Sequence, residues 1–258
     1  MITGEMKAGI RSRPKFTQVL NELDRAQKPG DGVPAYSRWA NRRGARVFAA
    51  AAVAAGWGPN AVTVLSACCS AAGLLLLALL PASWGTGVGA AALLALGYLM
   101  DSADGQVARV TGTGSAAGEW LDHVIDAVRT PALHLAVFFG FQRSFEIDSA
   151  LRYLPLAFAL VATGHFISQI LAEQLGRAHA LRAGAKDSGS LPEQEGRKGM
   201  LWSFLILPID TGVLCWVFVL WGSPALFVPG YAVLFAFAAV FAGISARRKY
   251  AYLKGLGQ

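Results

Sequence analysis

VFAAAAVAAGWGPNAVTVLSACCSAAGLLLLALLPASWGTGVGAAALLALGYLM, residues 47–100, runs for 54 positions without one Asp, Glu, Lys or Arg. A helix that crosses a bilayer takes about 20 predominantly apolar residues, so the stretch is long enough for two crossings. Pro59-Asn60 opens the first, and the turn-forming cluster Pro81-Ala82-Ser83-Trp84-Gly85 separates it from the second. This predicts spans at 61–80 and 87–108. Working outward, further apolar runs predict spans at 117–141, 153–172, 200–221 and 225–245. The expected fold class is therefore all-α: an integral membrane six-helix bundle, preceded by an N-terminal interfacial amphipathic helix.

Composition agrees with that reading. Of 258 residues, 54% are hydrophobic and 15% charged, where soluble domains carry roughly 25% charged residues. Mean hydropathy is +0.44. A soluble cytosolic enzyme, a disordered chain and a secreted disulfide scaffold are all poor fits. Cys68, Cys69 and Cys215 sit in apolar runs with no histidine at ligand spacing, so they read as small core or lipid-facing residues.

The net charge of +7 suits either nucleic acid or anionic lipid, and the placement of the charges decides. Ten Lys and Arg lie in residues 1–59, five in 173–199 and four after 246, against two in 142–152 and none in 81–86 or 222–224. That bias places both termini and the loop at 173–199 on the cytoplasmic side of a cell (inner) membrane. The expected partner is membrane lipid, not nucleic acid. Three segments follow: a basic N-terminal segment at 1–59, a six-span domain at 60–246 and a basic tail at 247–258. Met1 to Ile10 lack a signal-peptide pattern.

Phe16 to Gln27 can form a short helix, ended by Lys28-Pro29-Gly30-Asp31-Gly32. Arg38, Arg42, Arg43 and Arg46 then alternate with Tyr36, Trp39 and Phe48, which suits a helix lying in the interface. A solvated basic tail that only orients the chain accounts for the same charges. Trp84, Trp202, Trp221 and Tyr231 stand near span ends and read as interfacial anchors.

Five acids break the pattern. Asp101, Asp104, Glu119, Asp122 and Asp126 fall within 26 positions flanked by apolar helix. A carboxylate at the bilayer centre costs at least about 2.5–3.5 kcal/mol, so such residues normally face a cavity and carry function. Asp101 and Asp104 are three apart and Asp122 and Asp126 four apart, so each pair shares a helix face. The small residues Thr111 to Gly118 between them can reverse the chain and bring the faces together. Four converging carboxylates suit a hard divalent cation, and Mg²⁺ in particular combines carboxylates with substrate phosphates. Arg109 is placed either to bind a phosphate oxygen or to neutralise the acids as a buried ion pair.

The stretch from Asp101 through Asp104-Gly105, Ala108-Arg109 and Gly118 to Asp122 and Asp126 resembles the signature of the CDP-alcohol phosphotransferase family at all eight defining positions. With average residue frequencies a chance match is on the order of one in ten million. Pro59-Asn60-Ala61-Val62-Thr63 also resembles the opening of the first span in that family. The resemblance implies two Mg²⁺ or Mn²⁺ ions held by Asp101, Asp104, Asp122 and Asp126, with Asp126 also deprotonating the acceptor. It further implies that Asn60, Thr63, Gly105, Ala108, Arg109, Ser115 and Gly118 shape the nucleotide and diphosphate pocket. The reaction implied moves a phosphoalcohol, such as phosphatidyl from CDP-diacylglycerol, to a small polar acceptor and releases CMP. Inositol phosphate and glycerol phosphate suit as acceptors, a CDP-inositol donor is the alternative, and a homodimer is usual in the family.

Outside the signature, Arg129 shares a face with Asp126 and suits either an acceptor phosphate or pairing with an aspartate. Asp210, alone after Pro208, suits a cavity wall or a hydrogen-bonded structural role. His123, His134 and His165 read as packing residues. A rival class, an aspartate-lined cation transporter, shares the intramembrane acids, but transporters spread polar groups over several helices and show repeats. This chain concentrates them at one turn.

Overall fold

Prolines and serines set where the long helices begin. The computed structural model describes residues 14–25, 32–147, 150–184 and 200–256. Pro59 starts α3, Pro59–Leu79, where its fixed φ suits a first helical turn and its missing N–H costs nothing. Ser83 caps α4, Trp84–Thr111, by accepting from the Thr86 N–H at 3.0 Å. Ser115 caps α5, Ala116–Ser144, by accepting from the Gly118 N–H at 3.1 Å. Two more long helices follow, α6 at Leu154–Arg182 and α9 at Pro224–Leu256. These five are apolar and long enough to cross about 30 Å of hydrocarbon at about 1.5 Å per residue. They correspond to the first four expected spans and the last, and the described residues contain no strand.

The span expected at 200–221 is not one helix. It is a broken series: α7 at Met200–Leu205, a 3₁₀ turn at Leu207–Ile209, α8 at Thr211–Val217 and a second 3₁₀ turn at Phe218–Gly222. Pro208 has no N–H to continue the ladder. Asp210 then restarts it as the cap of α8, accepting from the Gly212 N–H at 2.8 Å. The described residues therefore contain five continuous helices of membrane length and one interrupted segment where six spans were expected.

Before the bundle come α1, Phe16–Arg25, and α2, Arg42–Ala54, the latter led in by a π-helical turn at Tyr36–Asn41. Val19 and Leu23 of α1 pack with Ala45, Ala49 and Val53 of α2 and with Met100, Ala103 and Val107 of α4. Trp39 meets Phe204 of α7 with ring centroids 5.4 Å apart. Of the expected turn after α1, residues 28–31 lie outside the described residues, as do Lys186, Arg197 and Lys198 of the basic loop.

The main core is aromatic and joins α5, α6, α9 and the second 3₁₀ turn. Phe141, Phe145, Phe218 and Phe227 surround Trp221, with Phe227 edge-on to it at 4.8 Å. Trp221 and Tyr231 are 0% exposed, so neither is the interfacial anchor expected from its position near a span end. Trp221, at the end of the broken segment, and Tyr231, in α9, both pack against other rings. Trp84, 52% exposed, keeps the outward position expected. His134 is a core residue, as expected: it bonds the Tyr231 hydroxyl at 2.6 Å and stacks on Phe158.

Candidate active site

α4 ends at Gly112, whose φ of +65° is a left-handed conformation that glycine adopts without a Cβ penalty. The chain reverses over three residues and re-enters as α5 at the Ser115 cap. This is the reversal expected from the small-residue run. It lays the last turns of α4 beside the first turns of α5, so that carboxylate oxygens of Asp101, Asp122 and Asp126 lie within 4.8 Å of one another. All three are partly buried.

Asp104 stands apart from that trio. It is 7% exposed and accepts a 2.6 Å hydrogen bond on Oδ2 from the Thr63 hydroxyl of α3. Thr63 is itself buried. The two therefore tie α3 to α4 under the site, with Thr63 bonded to an acid instead of standing open to solvent.

Arg129 supplies the counter-charge. Its Nη2 donates to Asp101 Oδ1 at 3.0 Å and also to Asp126 Oδ1, and its Nη1 lies 3.5 Å from the Ser66 hydroxyl. Of the two roles open to it from the sequence, pairing with aspartate is the one the structure displays, and with two aspartates at once. Arg109, by contrast, is exposed and forms no ion pair among the described residues. A Cβ at Gly105 would lie 3.4 Å from Arg109 Nη1, an ordinary contact distance.

The remaining residues line the same end of the bundle. Asn60 is exposed on the first turn of α3, and its Oδ1 lies 3.1 Å from where a Cβ on Gly118 would stand. The starts of α3 and α5 lie close enough here that a side chain at 118 would push the Asn60 carboxamide aside by a few tenths of an ångström. Ser115 is used as a helix cap, and Ala108 is half-buried two turns after Asp101. Glu119 bonds Arg177 of α6 at 2.7 Å, and His123 lies 3.8 Å from both Glu119 and Asp122.

A cavity of about 360 Å³ runs inward from the acids. Asp101, Asp126 and Arg129 stand at its polar end, while Phe158, Leu234 and Phe241 of α6 and α9 line the apolar depth. Tyr98, one turn before Asp101, forms part of its wall with Asp210. The Ser37 hydroxyl lies 2.7 Å from Tyr98 Oη and 3.0 Å from Asp210 Oδ1, and the Ser37 N–H donates to Asp210 Oδ2 at 2.9 Å. Asp210 thus fills both roles its sequence position allowed. Tyr98 and Ser66 escaped the sequence reading, although Tyr98 lies three residues before Asp101 and so shares its face.

An all-oxygen set of three close carboxylates fits a hard divalent cation. The cavity beside it offers an apolar depth and a polar mouth, which suits a substrate with a lipid part and a charged part. No curated protein matches the chain. Residues 57–245, which take in α3 to most of α9 and every residue of the acid site, match the family described as CDP-alcohol phosphatidyltransferase. The chain belongs to that family, a group of membrane phosphotransferases of phospholipid synthesis that take their transferred group from a CDP-alcohol.

Proposed function

We propose that the protein transfers a phosphatidyl group from CDP-diacylglycerol, or a close CDP-alcohol, to the hydroxyl of a small polar acceptor such as inositol phosphate or glycerol phosphate. The observation that carries this reading is the approach of Asp101, Asp122 and Asp126 to within 4.8 Å, two of them, Asp101 and Asp126, also lining the cavity. Mg²⁺ or Mn²⁺ is the proposed metal, with two ions held by these three residues and Asp104. Held by these carboxylates, the metal would neutralise charge on the diphosphate oxygens and on the departing CMP phosphate.

The protein's own residues do the rest. Asn60, Thr63, Gly105, Ala108, Arg109, Ser115 and Gly118 form the pocket for the nucleotide and diphosphate. Gly105 and Gly118 let the substrate backbone come close, and Arg109 meets a phosphate oxygen. The acceptor oxygen bonds to the phosphorus that carries the lipid. The bond from that phosphorus to the CMP oxygen breaks, and CMP leaves with the electron pair. The acceptor's proton passes to Asp126, which lines the cavity where the acceptor would sit.

The site end of the bundle is proposed to face the cytoplasm, since Lys and Arg concentrate in segments 1–59, 173–199 and 247–258 and Arg177 of the second bonds Glu119 at that end. A homodimer through the membrane helices is proposed from the family habit. The test is direct: purified protein with Mg²⁺ or Mn²⁺, CDP-diacylglycerol and a panel of acceptors releases CMP, and chelation stops it. Absence of CMP release from every CDP-alcohol tried would overturn the reading.

A further inference from the structure

On the other side of the Tyr98–Ser37–Asp210 wall lies a second cavity of about 330 Å³, between the π-helical turn, α4 and the chain break before α8. Tyr98, Ile209, Asp210 and Thr211 line both cavities, while Asn41, Arg42 and Ser102 line only this one. Its size is within the range of small-molecule pockets.

The polar groups here are not all satisfied by the protein. Asp210 is used up: its oxygens already accept from the Ser37 N–H, the Ser37 hydroxyl and the Gly212 N–H. Asn41 is different. It is 2% exposed, its Nδ2 donates to the Ser102 hydroxyl at 2.6 Å, and its Oδ1 has no partner among the described residues. A buried amide oxygen left unpaired forfeits its hydration without replacement. Turning the carboxamide over exchanges an orphaned acceptor for an orphaned donor, and a ligand hydroxyl satisfies either. Ser102, which accepts from Asn41, still has its own proton to donate.

Arg42 adds a charge preference. Burial pulls its pKa down from the usual value, and the like charges of Arg109 and Arg38 act in the same direction, so an anion beside it is stabilising. A guanidinium and a hydroxyl donor for an anionic oxygen, with an amide for a hydroxyl, complement one kind of small molecule. We propose that this pocket binds a phosphorylated polyol, its phosphate at Arg42 and Ser102 and a hydroxyl at Asn41. Ser102 follows Asp101 in α4 and the two cavities share a wall, so the pocket is an antechamber for the acceptor. That last assignment rests on the transferase reading, while the binding does not.

The test uses the full chain in phosphatidylcholine nanodiscs with EDTA, titrated by calorimetry with glycerol 3-phosphate and inositol 1-phosphate. At least one binds saturably, Arg42→Gln and Asn41→Leu each weaken it tenfold or more, and Asp126→Asn leaves it unchanged. Arg42→Gln keeps the test valid if Asn41→Leu fails to fold. Failure of both probes to bind, or binding that ignores Arg42→Gln, overturns the pocket. Adding phosphatidylinositol to the nanodiscs separates sources: competition assigns a lipid headgroup, and no competition a free polyol phosphate, the chemistry being the same. In the CMP-release assay Arg42→Gln raises the acceptor KM about tenfold with kcat little changed. An unchanged KM removes the antechamber role. Lack of CMP release by the wild type would remove the transferase reading and leave the EDTA titration standing.

Discussion

The two ends of the bundle are built by opposite means. At the site end, α3, α4 and α5 meet through small residues and charge: Gly118 beside Asn60, Asp104 on Thr63, and Arg129 across Asp101 and Asp126. At the far end, α5, α9 and the broken segment meet through rings packed on Trp221, with Gly140 leaving room for its indole. Dispersion and shape hold the aromatic end, and each of its residues is replaceable only by something of the same volume. The site end depends on charge more than on exact volume. Function and stability should therefore separate along the long axis, and substitutions at the two ends test whether they do.

The largest effect expected is on turnover, from Asp126→Asn. Loss of the proposed base lowers kcat by ~10³-fold, inside the 10²–10⁴ range of general-base contributions. The variant keeps the melting temperature of the wild type to within a few degrees. CMP release and a thermal melt on the same preparation check both halves. Near-normal turnover would remove the base assignment, and a collapsed melt would show that the acids also hold the fold.

The mirror-image experiment is Trp221→Ala. Removing the indole from a fully buried site costs about 3–5 kcal/mol, seen as a large drop in melting temperature. CMP release per folded molecule at a permissive temperature stays within about twofold. A milder probe of the same region is Gly140→Ala, whose methyl would stand 2.8 Å from the Leu77 carbonyl oxygen of α3 and 2.7 Å from the Trp221 ring. Neither the backbone nor the packed indole can give way easily, and overpacking of this kind costs about 1–3 kcal/mol. A stable Gly140→Ala variant would show that α3 and α5 are less tightly fixed at this end than the rings suggest.

This contrast also explains what the sequence made legible. The site acids were readable because each breaks a rule: a carboxylate inside an apolar helix needs a reason, and the spacings of three and four residues fix the face. Five of the helices were readable because an uncharged run of membrane length has few alternatives. The aromatic end was not, since Trp221 near a span end has the same local pattern whether it faces the headgroups or a core. Only the break at Pro208 and Asp210 turns it inward, and a single proline does not reveal that the segment will fail to resume as one helix. The pairing of Asp104 with Thr63 was hidden for a related reason: 41 residues separate them, and no local periodicity reports a contact between helices.

The smallest effect, and the one that tells most about the site end, concerns Arg129. Its guanidinium sits against Asp101 and Asp126, two of the four acids proposed to hold metal, so it and a divalent ion compete for the same charge. Arg129→Gln removes a positive charge a few ångströms from that ion. At an effective dielectric near 20 a full charge at about 4 Å is worth up to about 4 kcal/mol. Solvent and movement of the long side chain reduce this, and about tenfold tighter Mn²⁺ binding by spin resonance is the expected outcome. The same substitution leaves Asp101 and Asp126 without their counter-charge, so the metal-free variant melts below the wild type. Added Mn²⁺ then raises its melting temperature by more than it raises that of the wild type, because the ion replaces what the arginine supplied. Weaker Mn²⁺ binding together with a smaller metal-induced rise would show instead that Arg129 holds the aspartates in position for the ion, making it part of the scaffold of the site and not a competitor within it.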